Sequence, residues 1–274
     1  MLSTLLCILI FVFLEHEVTA LTYSLKAHGG YLKGDPQMVT GNSAWGSLYH
    51  FFDSTPYSTT LFVNGNAYQY DEHYTGLSIG IGIRQRLKNL LLGINTYYEA
   101  QDNIRTIHRL GVGLECYSPL VNLAINAYFP IGGRIHVIEK TRFDGYVGGY
   151  TIDCIGRLTT PIEYDVTLFN NFTLYSPFHS YFADLRFALG IYGLEYNSCE
   201  SRYGLQIGLK LERDIFYIEP KIYTKRFDRA NYSVEIGCSF SLFGSRRTAH
   251  SYQHEVMRNP IIRPIRSFIF NTNY

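Results

Sequence analysis

One short motif in the sequence matches the nucleophile turn of hydrolases. Residues 76–80 read G-L-S-I-G, a G-x-S-x-G pattern that holds a serine on a sharp turn between a strand and a helix. Apolar and small residues continue to alternate through Ile83 without a break, and that pattern is typical of one strand. We therefore place Ser78 within a strand and predict that the protein is not an enzyme.

A second spacing could bind a metal ion. His250 and His254 are four residues apart, so both imidazoles could face one side of a helix. The sequence offers no third ligand beside them, and the remaining histidines are dispersed. A polar linker explains the pair better, and we predict neither a metal site nor any cofactor.

Charged and amide residues inside otherwise apolar segments are the remaining groups of chemical interest. They occupy the polar positions of an alternating pattern, and opposite charges on neighbouring strands can pair across a sheet. We predict that these side chains line the inside of a pore. The predicted pore-lining residues are Arg84, Asn95, Glu99, Arg109, Glu115, Lys210, Glu212 and Glu235.

The elements that carry these residues alternate with a period of two. Residues 77–84 place Leu and Ile at every second position and Ser, Gly and Arg between them. Because successive side chains of a strand point to opposite faces, each such strand has one apolar and one polar face. A soluble β-sandwich would show the same alternation.

The amino terminus separates these two alternatives. Residues 2–14 are almost entirely apolar and are followed by Val18-Thr19-Ala20, a small-residue site typical of a cleaved signal peptide. We predict that residues 1–20 form this signal. No later apolar run approaches the roughly 20 residues of a spanning helix, so a membrane would have to be crossed by a closed barrel of strands.

The predicted fold is an all-β transmembrane antiparallel barrel of about twelve strands within residues 21–243. Ten residues in a tilted strand rise roughly 25 Å, which matches the apolar band of an outer membrane. A thirteenth segment, 145–157, also alternates, and because an even strand number is expected we assign it to a long external excursion. The predicted strands are 23–33, 44–52, 59–69, 75–86, 90–100, 108–117, 120–129, 164–175, 182–196, 202–213, 215–226 and 231–242.

The last segment, 244–274, has a different composition, with five arginines and little alternation. Extended, it could reach roughly 100 Å, against roughly 40–45 Å for a bilayer. We predict that this tail threads the pore and is attracted by its glutamates. The predicted threading residues are Arg246, Arg247, Arg258, Asn259, Arg263 and Arg266.

Residues 91–134 resemble consecutive barrel strands of the inverse autotransporters, the intimin/invasin family. The resemblance rests on residues 91–99, 109–115 and 126–129, and residues 255–262 are similar to the segment that leaves the last strand of that family and threads the pore. It implies a twelve-stranded outer-membrane barrel that anchors and exports a passenger, usually immunoglobulin-like domains ending in an adhesive module. The sequence stops about a dozen residues after that segment, so we expect the passenger to be missing or separate.

These observations predict an outer-membrane translocator and anchor that displays loops and a short tail, with adhesion as its expected role. The alternatives are a passive diffusion channel, an outer-membrane hydrolase and a soluble β-sandwich. Expected partners are outer-membrane lipid, the barrel-assembly machinery and an unidentified passenger or host-cell ligand. The net charge of +1 gives no reason to expect nucleic acid.

Overall fold

In the computed structural model of the protein, the described part of the chain is built from strands. It comprises residues 21–34, 42–54, 59–70, 74–88, 90–102, 104–143, 151–170, 184–197, 201–213, 215–225, 229–243 and 265–273. The predicted signal peptide, 1–20, lies outside these residues. Within them, no helix is long and apolar enough to span a membrane.

Twelve antiparallel strands form a closed barrel. Each barrel strand pairs with its neighbour along the chain, with two exceptions. Strand β7 (Val121–Ile131) pairs with β10 (Ile162–Asn170), and β1 (Leu21–Gly34) pairs with β14 (Arg229–Phe243) to close the sheet. The barrel strands are β1 (Leu21–Gly34), β2 (Asn42–Ser54), β3 (Thr59–Tyr70), β4 (Tyr74–Leu87), β5 (Leu90–Asp102), β6 (Ile107–Tyr117), β7 (Val121–Ile131), β10 (Ile162–Asn170), β11 (Asp184–Glu195), β12 (Arg202–Arg213), β13 (Phe216–Lys225) and β14 (Arg229–Phe243).

The predicted fold class and strand number are confirmed, because each of the twelve predicted strands corresponds to one barrel strand. Residues 145–157 overlap β9 (Thr151–Thr159), which pairs with β8 (Ile135–Phe143) in a hairpin outside the barrel wall. The excursion between β7 and β10 therefore contains this hairpin, as the even strand number requires.

The two ends of the barrel differ in their connections. One end, the turn rim, has the short connections 55–58, 88–89, 118–120 and 214–215 together with the longer connection 171–183, and the first barrel strand starts and the last one ends there. The opposite end, the loop rim, carries the excursion 132–161. Apart from 171–183, the turn rim has the short turns that are typical of one side of outer-membrane barrels, and the longest connection lies at the loop rim.

The outward face of the wall is apolar. In β4, Leu77, Ile79 and Ile81 point outward and are 66%, 60% and 42% exposed, whereas Gly80 and Arg84 between and beyond them are buried inside. This is the arrangement expected when lipid surrounds the sheet, because exposed apolar side chains then lie in hydrocarbon rather than in water.

Exposed aromatic side chains encircle the loop rim. All lie within four residues of the strand end at that rim, on several strands around the barrel. Such girdles mark the boundary between the hydrocarbon and the polar headgroups. The aromatic residues of this girdle are Tyr31, Tyr98, Phe129, Tyr164, Tyr203 and Tyr232.

A separate three-stranded sheet stands at the loop rim, with β9 between β8 and β15 (Ile265–Asn273). Ile265 lies opposite Thr159, and the register continues without a break to Asn273 opposite Thr151. The near end of the sheet is fixed to the barrel, since Leu158 packs with Ile107 of β6.

Aromatic rings of the neighbouring strands fill the space beside the inward glycines of β4. A Cβ atom built on Gly80 would overlap the ring of Tyr97, and one built on Gly82 would overlap Phe62. Tyr97 and Phe62 form a buried cluster with Tyr49 and Phe51. Glycine at these positions lets rings from neighbouring strands lie flat against the wall, and the core of the molecule is therefore inside this side of the barrel.

We expect Ile81→Arg to destabilise the barrel by roughly 2–4 kcal/mol, since Ile81 faces outward in the middle of β4 and would place a guanidinium in hydrocarbon. Reversible urea unfolding in phosphatidylcholine vesicles measures this cost. Ile81→Leu is the matched control and should unfold near the wild-type midpoint. Equal midpoints for the arginine and leucine variants would contradict the assigned outer face.

Candidate functional site

The interior of the barrel is the candidate site, and its two sides differ. The inward faces of β2–β7 and β10, here called the packed wall, carry large buried side chains. The inward faces of β11–β14, here called the accessible wall, carry charged groups that remain partly exposed. The two walls therefore offer different environments to anything inside the barrel.

A buried ion pair lies in the packed wall near the turn rim. Arg84 Nε and Glu115 Oε2 are 2.9 Å apart, and their side chains are 0% and 1% exposed. Asn95 donates a 3.1 Å hydrogen bond to the other carboxylate oxygen, and the Arg84 guanidinium lies 4.7 Å from the ring centroid of Phe62. A buried charge is costly unless it is paired. These contacts therefore offset the cost of removing the Arg84 guanidinium from water.

A second buried cluster lies near the loop rim. Arg109 forms ion pairs with Glu99 and Glu163, the latter at 3.0 Å, and all three side chains are at most 4% exposed. The Arg109 guanidinium also lies 4.3 Å from the ring centroid of Tyr128. The cluster therefore links β10, which follows the external excursion, to β5 and β6 across the intervening strand β7.

The accessible wall carries looser pairs. Arg186 and Glu212 are 3.8 Å apart and are 31% and 27% exposed. Lys221 is 3.0 Å from Glu219 and 3.8 Å from Glu235, and is itself 25% exposed. Partly exposed pairs of this kind contribute little to stability, and their side chains remain accessible from the interior of the barrel.

Near the loop rim, the inward positions of the accessible wall are occupied by aromatic side chains rather than by charges. Tyr192, Leu194, Tyr196 and Tyr223 pack into one buried cluster, and Tyr192 donates a 3.1 Å hydrogen bond to the Thr224 carbonyl oxygen. The charged part of the accessible wall therefore lies nearer the turn rim.

All eight predicted pore-lining residues occupy inward positions. Arg84, Asn95, Glu99, Arg109 and Glu115 are buried in the packed wall. Lys210, Glu212 and Glu235 lie on the accessible wall, where Lys210 is 4.1 Å from the ring centroid of Tyr217, which also bonds to Glu235. Their role in a pore stays a prediction.

Sequence reasoning missed the second partner of Arg109. The predicted strand 164–175 leaves Glu163 out, whereas β10 begins at Ile162. The signal was present, since Glu163, Asp165 and Thr167 stand at alternating positions and all face inward.

The predicted threading residues are mostly outside the described part of the chain. Arg246, Arg247, Arg258, Asn259 and Arg263 all fall there. Arg266 lies in β15, opposite Leu158 of β9, and so belongs to the three-stranded sheet at the loop rim. At this residue the chain is therefore part of the separate sheet and not of the barrel.

The hydrolase motif does not form its turn. Ser78 lies within the unbroken strand β4 and accepts a 2.9 Å hydrogen bond from Asn66 Nδ2. No group of three or more His, Cys, Asp or Glu side chains in the described residues is placed to hold a metal ion. The interior therefore offers buried ion pairs on the packed wall and partly exposed charged groups on the accessible wall.

Comparison with known proteins agrees with the sequence resemblance. Residues 30–159 match the family model described as "Inverse autotransporter, beta-domain". The match confirms the resemblance inferred from residues 91–134 and locates the barrel in the bacterial outer membrane.

Three solved structures resemble this chain at low sequence identity. One, described as "Unveiling the Mechanism Behind the in-meso Crystallization of Membrane Proteins", is 14% identical, covers 90% of this chain and 100% of that chain, and has a TM-score of 0.64. A "KdgM porin" is 9% identical with 78% and 99% covered and a TM-score of 0.47. The outer membrane protein Omp33 of Acinetobacter baumannii is 8% identical with 80% and 98% covered and a TM-score of 0.43. Only the first score exceeds 0.5, and it shows a common fold.

We expect Glu115→Leu to destabilise the barrel by about 3–5 kcal/mol, because it leaves the buried Arg84 guanidinium without its carboxylate. The same change at the partly exposed Glu212 should cost no more than about 1 kcal/mol. Urea unfolding in vesicles compares the two variants.

The double variant Arg84→Met/Glu115→Leu provides the control for this prediction. It removes both charges together and should recover most of the loss, because replacing a whole buried pair by apolar groups is often neutral. Equal costs at Glu115 and Glu212 would contradict the distinction between the packed and accessible walls.

Proposed function

Since residues 30–159 belong to an inverse-autotransporter β-domain, we propose that this outer-membrane barrel anchors the chain and passes its own C-terminal tail through the interior to the outer surface. The observation that carries the proposal is topological. β14 ends at the turn rim, and β15 pairs with β9, which is joined to the barrel at the loop rim. We infer from the two described ends that the intervening residues, which lie outside the described part of the chain, connect opposite ends of the barrel.

The length of the connection is sufficient. The 21 residues between Phe243 and Ile265 reach about 70 Å when extended. The hydrocarbon core that the barrel crosses is only about 30 Å thick. The segment can cross the membrane with residues to spare at either rim.

The interior is the favourable route for this segment. Outside the wall, a chain that pairs with no strand would expose its N–H and C=O groups to hydrocarbon, which costs several kcal/mol for each group. Inside, the packed wall is occupied by buried rings and ion pairs. We therefore propose that the tail runs along the accessible wall, where the charged side chains remain partly hydrated.

Strand pairing rather than charge attraction holds the tail in this proposal. Glu99 and Glu115 are engaged by buried arginines, and Glu212, Glu219 and Glu235 each have an Arg or Lys within 3.8 Å. The interior carboxylates are thus largely neutralised by the wall itself. By contrast, β15 and β9 pair over nine consecutive residues.

The proposed product of this arrangement is surface display of the hairpin and of β15, with a role in adhesion. Membrane lipid, the barrel-assembly machinery and a surface passenger or host-cell ligand are its proposed partners. We propose no enzymatic activity, because Ser78 lies in the middle of a continuous strand and its side chain faces the packed wall inside the barrel. A passive diffusion channel is the second candidate, favoured by the partly exposed charges of the accessible wall.

We expect the chain truncated after Phe243 to show a higher single-channel conductance in planar bilayers than the full-length mature chain, because the interior would lose the tail that occupies it. A chain truncated after residue 264 is the matched control. It keeps the segment between the rims but lacks β15, whose pairing with β9 holds that segment in place, so its conductance should lie between those of the other two chains. Circular dichroism verifies that each truncated barrel is folded.

Two results would contradict the proposed path of the tail. Unchanged conductance after removal of residues 244–274 would show that the tail does not occupy the interior. A high conductance of the full-length chain that truncation does not alter would support the diffusion channel instead.

A further inference from the structure

The two outer edges of the three-stranded sheet differ in chemistry. β8 forms one edge and carries Glu139, Lys140 and Arg142, and its pairing with β9 is interrupted between Val137 and Glu139. Charges and bulges of this kind discourage another strand from adding to an edge. The β8 edge is therefore protected.

The β15 edge lacks this protection. Its nine residues contain one charge, Arg266, and no proline, and the register with β9 is regular throughout. Among the described strands, β15 pairs with β9 alone. Its other side presents a row of backbone donors and acceptors, which is a template for strand addition.

We propose that this free edge of β15 pairs in antiparallel fashion with β15 of a second copy of the chain. With the two-fold axis at Ile269, Phe268 of one copy lies opposite Phe270 of the other, and Arg266 lies opposite Thr272. Aromatic pairs are favourable across antiparallel strands, and no like charges meet. A parallel pairing in register would instead place Arg266 against Arg266.

The direction of β15 fixes where the two barrels lie. Its first residue, Ile265, is opposite Thr159, only three residues before β10 begins, whereas Asn273 is opposite Thr151 at the far end of β9. An antiparallel pair sets the rim end of one strand against the far end of the other. The barrels then sit at opposite ends of the joint six-stranded sheet, as they would in two facing membranes.

A β15–β15 contact joins two copies of the same chain, and it can form many times between two surfaces that carry this protein. One pairing of nine residues is weak alone, because association must first offset the entropy of bringing the partners together. Many copies on two opposed surfaces would act together and raise the total strength. The inferred activity is therefore adhesion between cells that carry the same protein.

The inference rests on the proposed display of β15 at the cell surface, and the experiment tests both in the full-length chain. Two populations of cells labelled in different colours display the wild-type protein with a peptide tag after Tyr274. We expect the wild type to form mixed clumps. Ile269→Lys and Ile269→Glu should each abolish clumping alone, because equal charges meet at the two-fold axis, and mixing the two variants should restore it.

Thr141→Lys on the β8 edge is the matched control and should clump like the wild type. Antibody against the tag on intact cells reports display separately. A displayed tag without wild-type clumping, or without rescue in the mixed lysine and glutamate populations, overturns the inference and leaves the proposed function standing. An inaccessible tag on intact, folded barrels overturns the proposed display and this inference together.

Discussion

The constraint on which the whole structure depends is that a backbone in hydrocarbon must satisfy every N–H and C=O group without water. Pairing of β1 with β14 meets it by removing the free edges of the sheet. Once the sheet is closed, one face of every strand must meet lipid and the other must fill the interior. The alternation of Leu and Ile with Gly, Ser and Arg is the consequence of that single requirement.

Closure also explains why charges sit inside and how they are paired. A narrow barrel cannot hydrate every inward side chain, so Arg84 and Arg109 are buried and depend on carboxylates from neighbouring strands. Cross-strand register brings these groups together, as Glu99 lies opposite Arg109 in the β5–β6 pair. In the β4–β5 pair, the register likewise places Tyr97 opposite Gly80. The strand register therefore determines both the ion pairs and the aromatic packing.

Much of this fold could be predicted from the sequence, because a period of two is a local signal. The barrel strands and their inward faces follow from it directly. What could not be predicted depends on distant contacts or weak alternation. β8 is rich in charge and was not predicted as a strand. Strand β15 forms by pairing with β9, which lies more than a hundred residues earlier in the chain. Glu163 was missed since the start of β10 was placed two residues late.

The unequal filling of the two walls makes the barrel mechanically lopsided. Strands β2–β7 are braced from within by interlocking rings and buried ion pairs, so that arc resists deformation as a dense solid does. Nearer the turn rim, strands β11–β14 are joined inside by looser contacts, as Arg186 and Glu212 illustrate. Any widening demanded by a bulky cargo would fall on that compliant arc, and the stiff arc would hold the sheet in register while it yields.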